Sequence, residues 1–470
     1  MTSLLYRRSI PNLGWLVGLM ALCAVFGLTA GVSPKYATAG ALGLGFVVAV
    51  FADLTLGVAL FAVLSFLDLL SGGATVSFIK VAGLLLFVSW MISRASAPRQ
   101  ATAAFVDRHP ALITAIVAFL AWNAVSVVWA QSSGAALGLV VRYLLDLLLL
   151  PIVFNAVRKP EHVTMIIGGF VLGAVISSVY GILNPASATA ATAGRLSGGL
   201  GDPNYEAAGL VGAMVLAVGL AAVGRRSRIL TLIAGGGLVL SFIGLVSTVS
   251  RGGLVAFGCV LVGGVIFGGR WRRSAAVLLL ISATSVVGYF VVIASSTAVQ
   301  RVTNASSSGR SDLWTVGWRM FEANPVLGVG ASNFQLVSVH YLQRPGVITA
   351  AKFIVDTPKV AHNIYLEALA TLGVPGLLTL LALLAAGASC ALRAARMFER
   401  LGERDMELLS RCVVLALLAF LAANFFISDF LSKQLWLVFA LCPAMLSLAH
   451  RSATRAAQHA SRLDDYASSS

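Results

Sequence analysis

Charged residues are scarce in this chain. Of its 470 residues only 11% are Asp, Glu, Lys or Arg, whereas 59% are hydrophobic, and the mean hydropathy is +0.92. A soluble domain needs a far more polar surface than this, so the composition excludes a soluble globular protein. The sequence predicts a protein that crosses a lipid bilayer many times.

Cysteine is also scarce, and its placement excludes two kinds of site. The five cysteines lie in or at the ends of apolar segments, with no C-x-x-C spacing among them. That pattern is typical neither of a disulfide framework nor of a zinc site, so we expect these side chains to pack as small apolar groups. They are Cys23, Cys259, Cys390, Cys412 and Cys442.

Long apolar runs dominate what is present. We count about 14 stretches near the length that a bilayer demands of a helix, several of them short, and expect about 12 to 14 spans in an all-α polytopic fold. They lie near 12–31, 36–52, 55–70, 76–93, 111–130, 136–156, 163–181, 204–223, 229–249, 253–268, 274–294, 361–390, 412–430 and 434–449.

Basic residues cluster between the runs in a way that predicts the topology. With the N-terminus in the cytoplasm, all but twelve of the 33 basic residues fall on inner loops and termini, which is the positive-inside pattern. The net charge of +15 therefore sets the orientation and does not indicate nucleic-acid binding. We expect N-terminal transmembrane helices over 1–294, a large periplasmic loop over 295–360 with an amphipathic helix near 312–320, C-terminal transmembrane helices over 361–450, and a polar cytoplasmic tail over 451–470.

The twelve basic residues on the other side need a different explanation. Ionisable groups at or within membrane depth are costly and usually serve a function. Arg142 lies in an apolar run, Arg251 opens a span, and Arg195 and Arg310 lie in loops rich in glycine and serine. Several guanidinium groups would suit a diphosphate, although Arg142 could instead pair with Asp146. The twelve are Lys35, Lys80, Arg142, Arg195, Arg251, Arg301, Arg310, Arg319, Arg344, Lys352, Lys359 and Lys433.

One histidine stands where the large polar loop re-enters an apolar segment. His362 precedes Asn363, and a neutral imidazole next to an amide and near several arginines suits a general base that faces an anionic substrate. Asp429, at the outer end of a span, is a candidate to orient this base or an arginine, the alternative being a surface acid.

Acidic residues are too dispersed on the outer side to predict a metal site. The only adjacent pair of aspartates, Asp464 and Asp465, falls in the cytoplasmic tail, and the outer acids are scattered along the chain. An ion that bridges a diphosphate would need an acidic cluster facing it. We expect neither a metal nor another cofactor.

Three motifs occur in an order that resembles a known family. Ser250-Arg-Gly-Gly253 is followed by Gly309-Arg-Ser-Asp-Leu-Trp314 with Asn324-Pro-Val-Leu-Gly-Val-Gly330, and then by His362-Asn363 with Gly373-Val-Pro-Gly376. Over roughly residues 185–430 the chain resembles the O-antigen ligase/polymerase superfamily of bacterial membrane glycosyltransferases, and within it the ligases most of all.

The resemblance implies a fold, a reaction and a set of residues. It implies a GT-C-type membrane fold of about 12 helices and transfer of a polysaccharide from undecaprenyl diphosphate to the lipid A-core at the outer face of the inner membrane. The family's essential histidine falls on His362, and its two essential arginines fall on Arg251 and Arg310. From their positions in the sequence, Arg195 and Arg142 are further candidates to bind the diphosphate, and Asn363 and Asp429 are supporting candidates.

The sequence leaves three other functions to consider. A protein O-oligosaccharyltransferase is disfavoured, because we expect no additional C-terminal domain of the kind that such enzymes carry. An O-antigen polymerase uses the same lipid-linked donor with a second lipid-linked glycan as acceptor. A flippase or transporter of lipid-linked glycans would use the arginines to line a passage. The position of the arginines near His362, away from the middle of several spans, favours transfer over transport.

Overall fold

The computed structural model describes residues 33–68, 78–95, 104–184, 194–223, 227–294, 309–342 and 359–469, with the isolated residues 27–28, 31, 296 and 299–300. Over these ranges every regular element is a helix and none is a strand. The helical multi-pass membrane architecture predicted from the apolar runs is therefore confirmed. Of the predicted spans, 12–31 lies almost entirely outside the described residues.

The helices follow the apolar runs closely. Ten helices of the described ranges are long and apolar enough to cross a membrane, and Gly43–Ala52, Leu54–Leu64 and Arg251–Phe267 are shorter apolar helices. Numbered in chain order, the α-helices of the described ranges are α1 Pro34–Ala52, α2 Leu54–Leu64, α3 Phe78–Ala95, α4 Ala104–Arg108, α5 Pro110–Val125, α6 Ser133–Leu147, α7 Leu149–Ala156, α8 Pro160–Leu183, α9 Pro203–Val223, α10 Arg228–Ser247, α11 Arg251–Phe267, α12 Arg272–Gly288, α13 Arg310–Ala323, α14 Phe334–Val337, α15 Ile364–Leu401, α16 Arg404–Ala423 and α17 Lys433–Ser469. The consecutive helices α6 and α7 together form one of the ten spans.

Two helices form the centre of the bundle. α9 packs between α10 and α16, and α17 packs between α15 and α7. Glycine allows the closest approach: a Cβ added to Gly169 of α8 would lie 2.3 Å from the carbonyl oxygen of Ala59 in α2. Small residues at such crossings let helices pack tightly where lipid offers no hydrophobic driving force.

The two ends of the bundle differ in chemistry. At one end, which we call the site end, α10 leads into α11 and α16 leads toward α17, and the backbone there is tied by bonds such as Leu196 N–H to Ser247 O at 2.9 Å. At the opposite end, the basic end, Arg270 and Arg411 form ion pairs of 2.9 and 3.0 Å with Glu407. Two of the basic residues predicted to be cytoplasmic, Arg270 and Arg411, thus lie away from the site end.

Helix α15 is broken near its start, and the break fixes a loop. Gly373 has φ 68° and ψ −169°, and Pro375 has no N–H to give to the carbonyl of Thr371. Val374 N–H is diverted to Pro325 O at 2.9 Å. The carbonyls freed in this way need new donors, because an unpaired backbone group within the membrane is costly.

The segment Asn324-Pro-Val-Leu-Gly-Val-Gly330 supplies two of these donors. Val329 N–H reaches Ala370 O at 3.1 Å, and Gly330 N–H reaches Thr371 O at 2.8 Å. Trp122 Nε1 donates to Leu372 O at 2.8 Å and satisfies a third carbonyl. Two of the sequence motifs are therefore halves of one backbone junction.

Two predicted regions take a clear form. The amphipathic helix expected near 312–320 is confirmed as α13, which packs on the first part of α15. The polar tail over 451–470 continues α17 as helix to Ser469, because nothing in its sequence interrupts the i to i−4 bonds. Within the loop over 295–360, residues 301–308 and 343–358 lie outside the described ranges.

Candidate active site at the site end of the bundle

His362 stands in a strained turn just before α15. Its φ is 50°, in the left-handed region that non-glycine residues rarely adopt. Asn363 follows as the N-cap of α15, and its Oδ1 accepts from Tyr365 N–H at 3.0 Å and Leu366 N–H at 3.1 Å. Trp314 of α13 donates from Nε1 to Ala361 O at 3.1 Å. The backbone on both sides of His362 is thus held in place.

A second loop is fastened to the same point. Ile364 N–H donates to Asn424 O at 3.0 Å, and the buried Asn424 side chain accepts from Asp429 N–H at 2.8 Å. Ser428 donates to the carboxylate of Glu367 in the first turn of α15. The position of Asp429 relative to His362 is therefore set by a chain of hydrogen bonds.

Arg251 begins α11 two residues after another strained residue. Val249 has φ 48°, which is unusual for a β-branched side chain. Ser250 caps α11 by accepting from Gly253 N–H at 3.2 Å, and its hydroxyl donates to Asn204 Oδ1 at 2.9 Å. A tight turn between two apolar helices thus aims Arg251 at the site end.

Arg195 supports this turn through two side-chain hydrogen bonds. Its side chain is only 8% exposed. Nε donates to Thr248 O at 2.8 Å and Nη2 donates to Asn204 Oδ1 at 3.2 Å. Predicted as a diphosphate ligand, Arg195 contacts the backbone and amide that hold the Arg251 turn.

Arg310 is the third cation of the site and comes from the large loop. It begins α13 after Gly309, whose φ of 77° makes the turn possible. Burial lowers the pKa of Arg310, and the nearby charge of Arg251 lowers it further, while the carboxylate of Asp202 opposes both. The two arginines therefore lie close enough to repel each other, although a guanidinium keeps its charge in proteins.

His362 lies within the field of these cations. Burial lowers the pKa of His362 to about 4, Arg310 and Lys359 add to that effect, and Asp202 opposes it. The imidazole is therefore neutral at physiological pH and able to accept a proton. The structure thus brings together His362, Arg251 and Arg310, which come from three separate parts of the chain.

Two carboxylates that are far apart in the sequence are also brought together. Asp202 caps α9, accepting from Asn204 N–H at 2.7 Å, and is close enough to His362 and Arg310 to act on both. Burial raises the pKa of Asp429 to about 7, and Asp202 adds to this effect. Asp429 is half-buried, and its raised pKa distinguishes it from a solvated surface acid.

Arg142 does not form the salt bridge considered for it. Asp146 is paired with Lys433 of α17, not with Arg142, because α17 packs directly against the helix that carries Asp146. Arg142 is exposed on α6 and lies near enough to Asp146 for an electrostatic interaction only. Among the described contacts, none joins Arg142 to Arg251 or Arg310.

Asp202 and Lys359 were not singled out from the sequence as site residues. Asp202 begins Asp202-Pro203-Asn204, which carries a helix-cap signal, and Lys359 comes three residues before His362. Neither signal by itself indicates a role in a site. In the described part of the chain, no three His, Cys, Asp or Glu side chains are grouped so as to share a metal ion.

Residues 236–381 match the family model described as O-antigen ligase. The matched range contains Arg251, Arg310 and His362, together with the broken start of α15. A search of curated proteins finds no match to the chain. The resemblance seen in the three motifs is therefore confirmed over residues 236–381, which are similar to the O-antigen ligase family.

Proposed function

We propose that this member of the O-antigen ligase family is itself a ligase of lipopolysaccharide biosynthesis. It transfers a polysaccharide from undecaprenyl diphosphate to a sugar hydroxyl of the lipid A-core, at the periplasmic face of the inner membrane. The observation that carries the proposal is the meeting of one neutral histidine and two arginines from three separate segments at one end of a membrane bundle.

His362 acts as the general base. The acceptor oxygen attacks the anomeric carbon and forms the new C–O bond while its proton passes to the imidazole. The bond between the anomeric carbon and the diphosphate oxygen breaks, and its electron pair leaves with the diphosphate. One direct displacement inverts the anomeric configuration and needs no covalent sugar–enzyme intermediate.

Arg251 and Arg310 stabilise the charge that grows on the leaving diphosphate. Planar guanidinium groups bind phosphate oxygens with paired hydrogen bonds, and they act most strongly where little water is present. Arg195 contributes by holding the turn that carries Arg251. Arg142 contributes only at longer range, from the exposed face of α6.

Donor binding also prepares the base. In the free protein burial keeps the pKa of the His362 imidazole low, and the nearby cations Arg310 and Lys359 lower it further. A bound diphosphate adds negative charge next to the same cations and raises that pKa, because a nearby anion favours the protonated form. The histidine thus becomes a stronger base only when the donor is in place.

The arginines take the role that a metal ion has in many diphosphate-dependent transferases. We therefore propose that transfer is independent of metals and of any other cofactor. The purified protein should transfer polysaccharide between both lipid substrates in excess chelator. Loss of transfer in chelator, with recovery in magnesium or manganese, would contradict this part of the proposal.

A deletion strain distinguishes the ligase from the alternatives. Loss of polymer on the lipid A-core, with lipid-linked polymer accumulating on the periplasmic side, is the result expected for a ligase. Cores capped by a single repeat unit would identify a polymerase instead. Absence of every periplasmic lipid-linked intermediate would identify a flippase. Complementation with the wild-type gene is the control for each outcome.

A further inference from the structure

A cavity with basic lining residues lies at the basic end of the bundle, away from His362. Its volume is about 800 Å³, and it opens where the start of α5 meets the middle of α15 and the second half of α17. Six basic or titratable side chains from separate segments line it. They are Arg108, His109, Arg393, His450, Arg451 and Arg455.

The charge of this cavity is not balanced by the residues that line it. Elsewhere at the basic end, Arg411 is paired with Glu399 at 2.8 Å and with Glu407 at 3.0 Å. Among the described residues that line the cavity, by contrast, none is a carboxylate. The positive-inside rule accounts for the sign of the charge but not for the convergence of side chains on one cavity.

His109 is the clearest sign that a ligand belongs here. Its side chain is 4% exposed, and within the described structure Nε2 has no hydrogen-bond partner. Nδ1 lies 4.0 Å from Cys390 Sγ, and the ring is packed against Phe154. A buried nitrogen without a partner is costly, and an anion bound in the cavity beside His109 would offset part of that cost.

Two further features add positive potential at the same place. Arg451 donates from Nη2 to Val157 O at 2.7 Å, but its buried Nε has no partner within the described structure. Pro110, Ala111 and Leu112, the first turn of α5, also line the cavity. The N-terminus of a helix carries partial positive charge that favours an anion, although Pro110 itself has no N–H to donate.

We propose that this cavity binds a phosphate-bearing anion at the face of the membrane opposite the transfer site. Arginine forks, an unfilled imidazole and a helix N-terminus are the groups that recognise phosphate oxygens. The volume exceeds that of a single phosphate and fits a phosphodiester headgroup or a diphosphate. The anion is either the headgroup of an acidic phospholipid or a soluble phosphate compound, and the phosphate is the recognised group in both cases.

Burial lowers the pKa of His109 to about 4, and the charges of His450, Arg108 and Arg393 add to that effect. A phosphate in the cavity would oppose these charges and raise the pKa of the imidazole. Occupancy should therefore be visible as a shift in the titration of His109, independently of polysaccharide transfer.

The binding test uses the purified full-length protein. Affinities for inorganic phosphate and for diphosphate are measured in detergent, and lipid retention is measured by native mass spectrometry from nanodiscs of phosphatidylglycerol or phosphatidylcholine. The cavity variant is Arg393→Gln with Arg455→Gln, which leaves the hydrogen bond from Arg108 to Ser447 intact. The matched control, Arg396→Gln with Arg400→Gln, removes the same charge from α15 outside the cavity.

The cavity variant should bind its anion at least tenfold more weakly, while the control stays within about twofold of wild type, because only the first loses charge-assisted partners. Retention of phosphatidylglycerol over phosphatidylcholine, without saturable binding of free phosphate, identifies a lipid headgroup. Saturable binding of phosphate or diphosphate identifies a soluble ligand. Equal weakening in both variants, or no preference for either probe, would overturn the proposal.

Discussion

Backbone strain marks the two turns that carry the candidate catalytic residues. His362 and Val249 have φ values of 50° and 48°, and Val249 comes two residues before Arg251. A non-glycine residue in this region costs about 1 to 3 kcal/mol, so the surrounding structure must enforce it. Here the enforcement comes from helix caps at Asn363 and Ser250, which fix the direction of each turn.

Replacement of His362 separates catalysis from folding. His362→Asn should express and insert normally, because asparagine tolerates the left-handed backbone better than most residues do. Turnover should fall by roughly 10²- to 10⁴-fold with little change in donor affinity, as expected for loss of a general base. Turnover and donor affinity of the purified variant check this. A well-expressed variant with near-normal turnover would end the general-base proposal.

The low pKa of His362 predicts an unusual pH dependence. Base catalysis is lost as pH falls through the pKa of the imidazole, and in the free protein that pKa is about 4. The profile of kcat/KM should therefore stay flat from about pH 8 down to about pH 5, because it reports the free enzyme. As the pH is lowered, kcat should begin to fall at a higher pH than kcat/KM does, since the bound diphosphate raises the pKa of the His362 imidazole. Coincident limbs near pH 6.5 in both profiles would contradict the proposed effect of the cations.

The two arginines should differ from the histidine in their kinetic signature. Arg251→Ala or Arg310→Ala should weaken donor binding as well as turnover, since a charge-assisted partner is worth about 1.5 to 3 kcal/mol. Lysine at either position should restore only part of the loss, because a point charge lacks the paired donors of a guanidinium. Donor affinity measured by isothermal titration checks this, with Arg396→Lys at the basic end as control. Full recovery with lysine would show that charge alone matters.

At the scale of elements, the broken start of α15 joins the loop to the membrane bundle. The break at Gly373 frees carbonyls, and the segment from Asn324 to Gly330 fills them with its own N–H groups. This junction sets the position of α13 against α15 and hence of Arg310 near His362. A hinge at this point would separate the base from one of its cations, so the junction must be rigid for the site to exist.

Gly373→Ala should break this junction. The added Cβ would lie 2.1 Å from Val326 O, and φ of 68° with ψ of −169° is accessible almost only to glycine. We expect the free energy of unfolding to fall by about 1 to 3 kcal/mol, together with loss of polysaccharide transfer. Thermal unfolding in detergent checks this against Gly258→Ala, where nothing lies within 4 Å of the new methyl group. Equal stability of the two variants would show that the junction is not needed.

At the scale of the whole molecule, the two ends of the bundle divide the chemistry. The site end carries His362, Arg251 and Arg310, whereas the basic end carries arginines paired with Glu399 and Glu407. Positive charge at one end orients a membrane protein, and a chain oriented by that end exposes the site on the opposite face. The proposed transfer site lies at the site end, and the proposed anion-binding cavity lies at the basic end.

The topology can be tested with two reporter fusions. Fusions at Ser306 and Gly402 should report opposite compartments, the first periplasmic and the second cytoplasmic, because an odd number of spans separates the large loop from the turn after α15. Phosphatase and fluorescent-protein reporters give complementary readouts of the two faces. The same compartment for both fusions would overturn the placement of the transfer site.

The sequence by itself determined the class of the molecule and indicated the candidate residues of its site. Apolar runs predicted the helices because a bilayer imposes a minimum length on each span. Ordered motifs predicted the family, which is confirmed over residues 236–381. His362 and Arg251 stood out because an ionisable residue at the edge of an apolar segment is costly, whereas Arg310 was indicated mainly by the ordered motifs.

Only the tertiary structure decided which polar groups meet. Arg195 could not be told from a ligand-binding arginine until its bonds to Thr248 O and Asn204 were visible. The pairing of Asp146 with Lys433 joins residues far apart in the chain, and the closeness of Asp202 to Asp429 does the same. Such long-range contacts depend on how whole helices pack, whereas spacing along the chain reports only neighbours within a few turns.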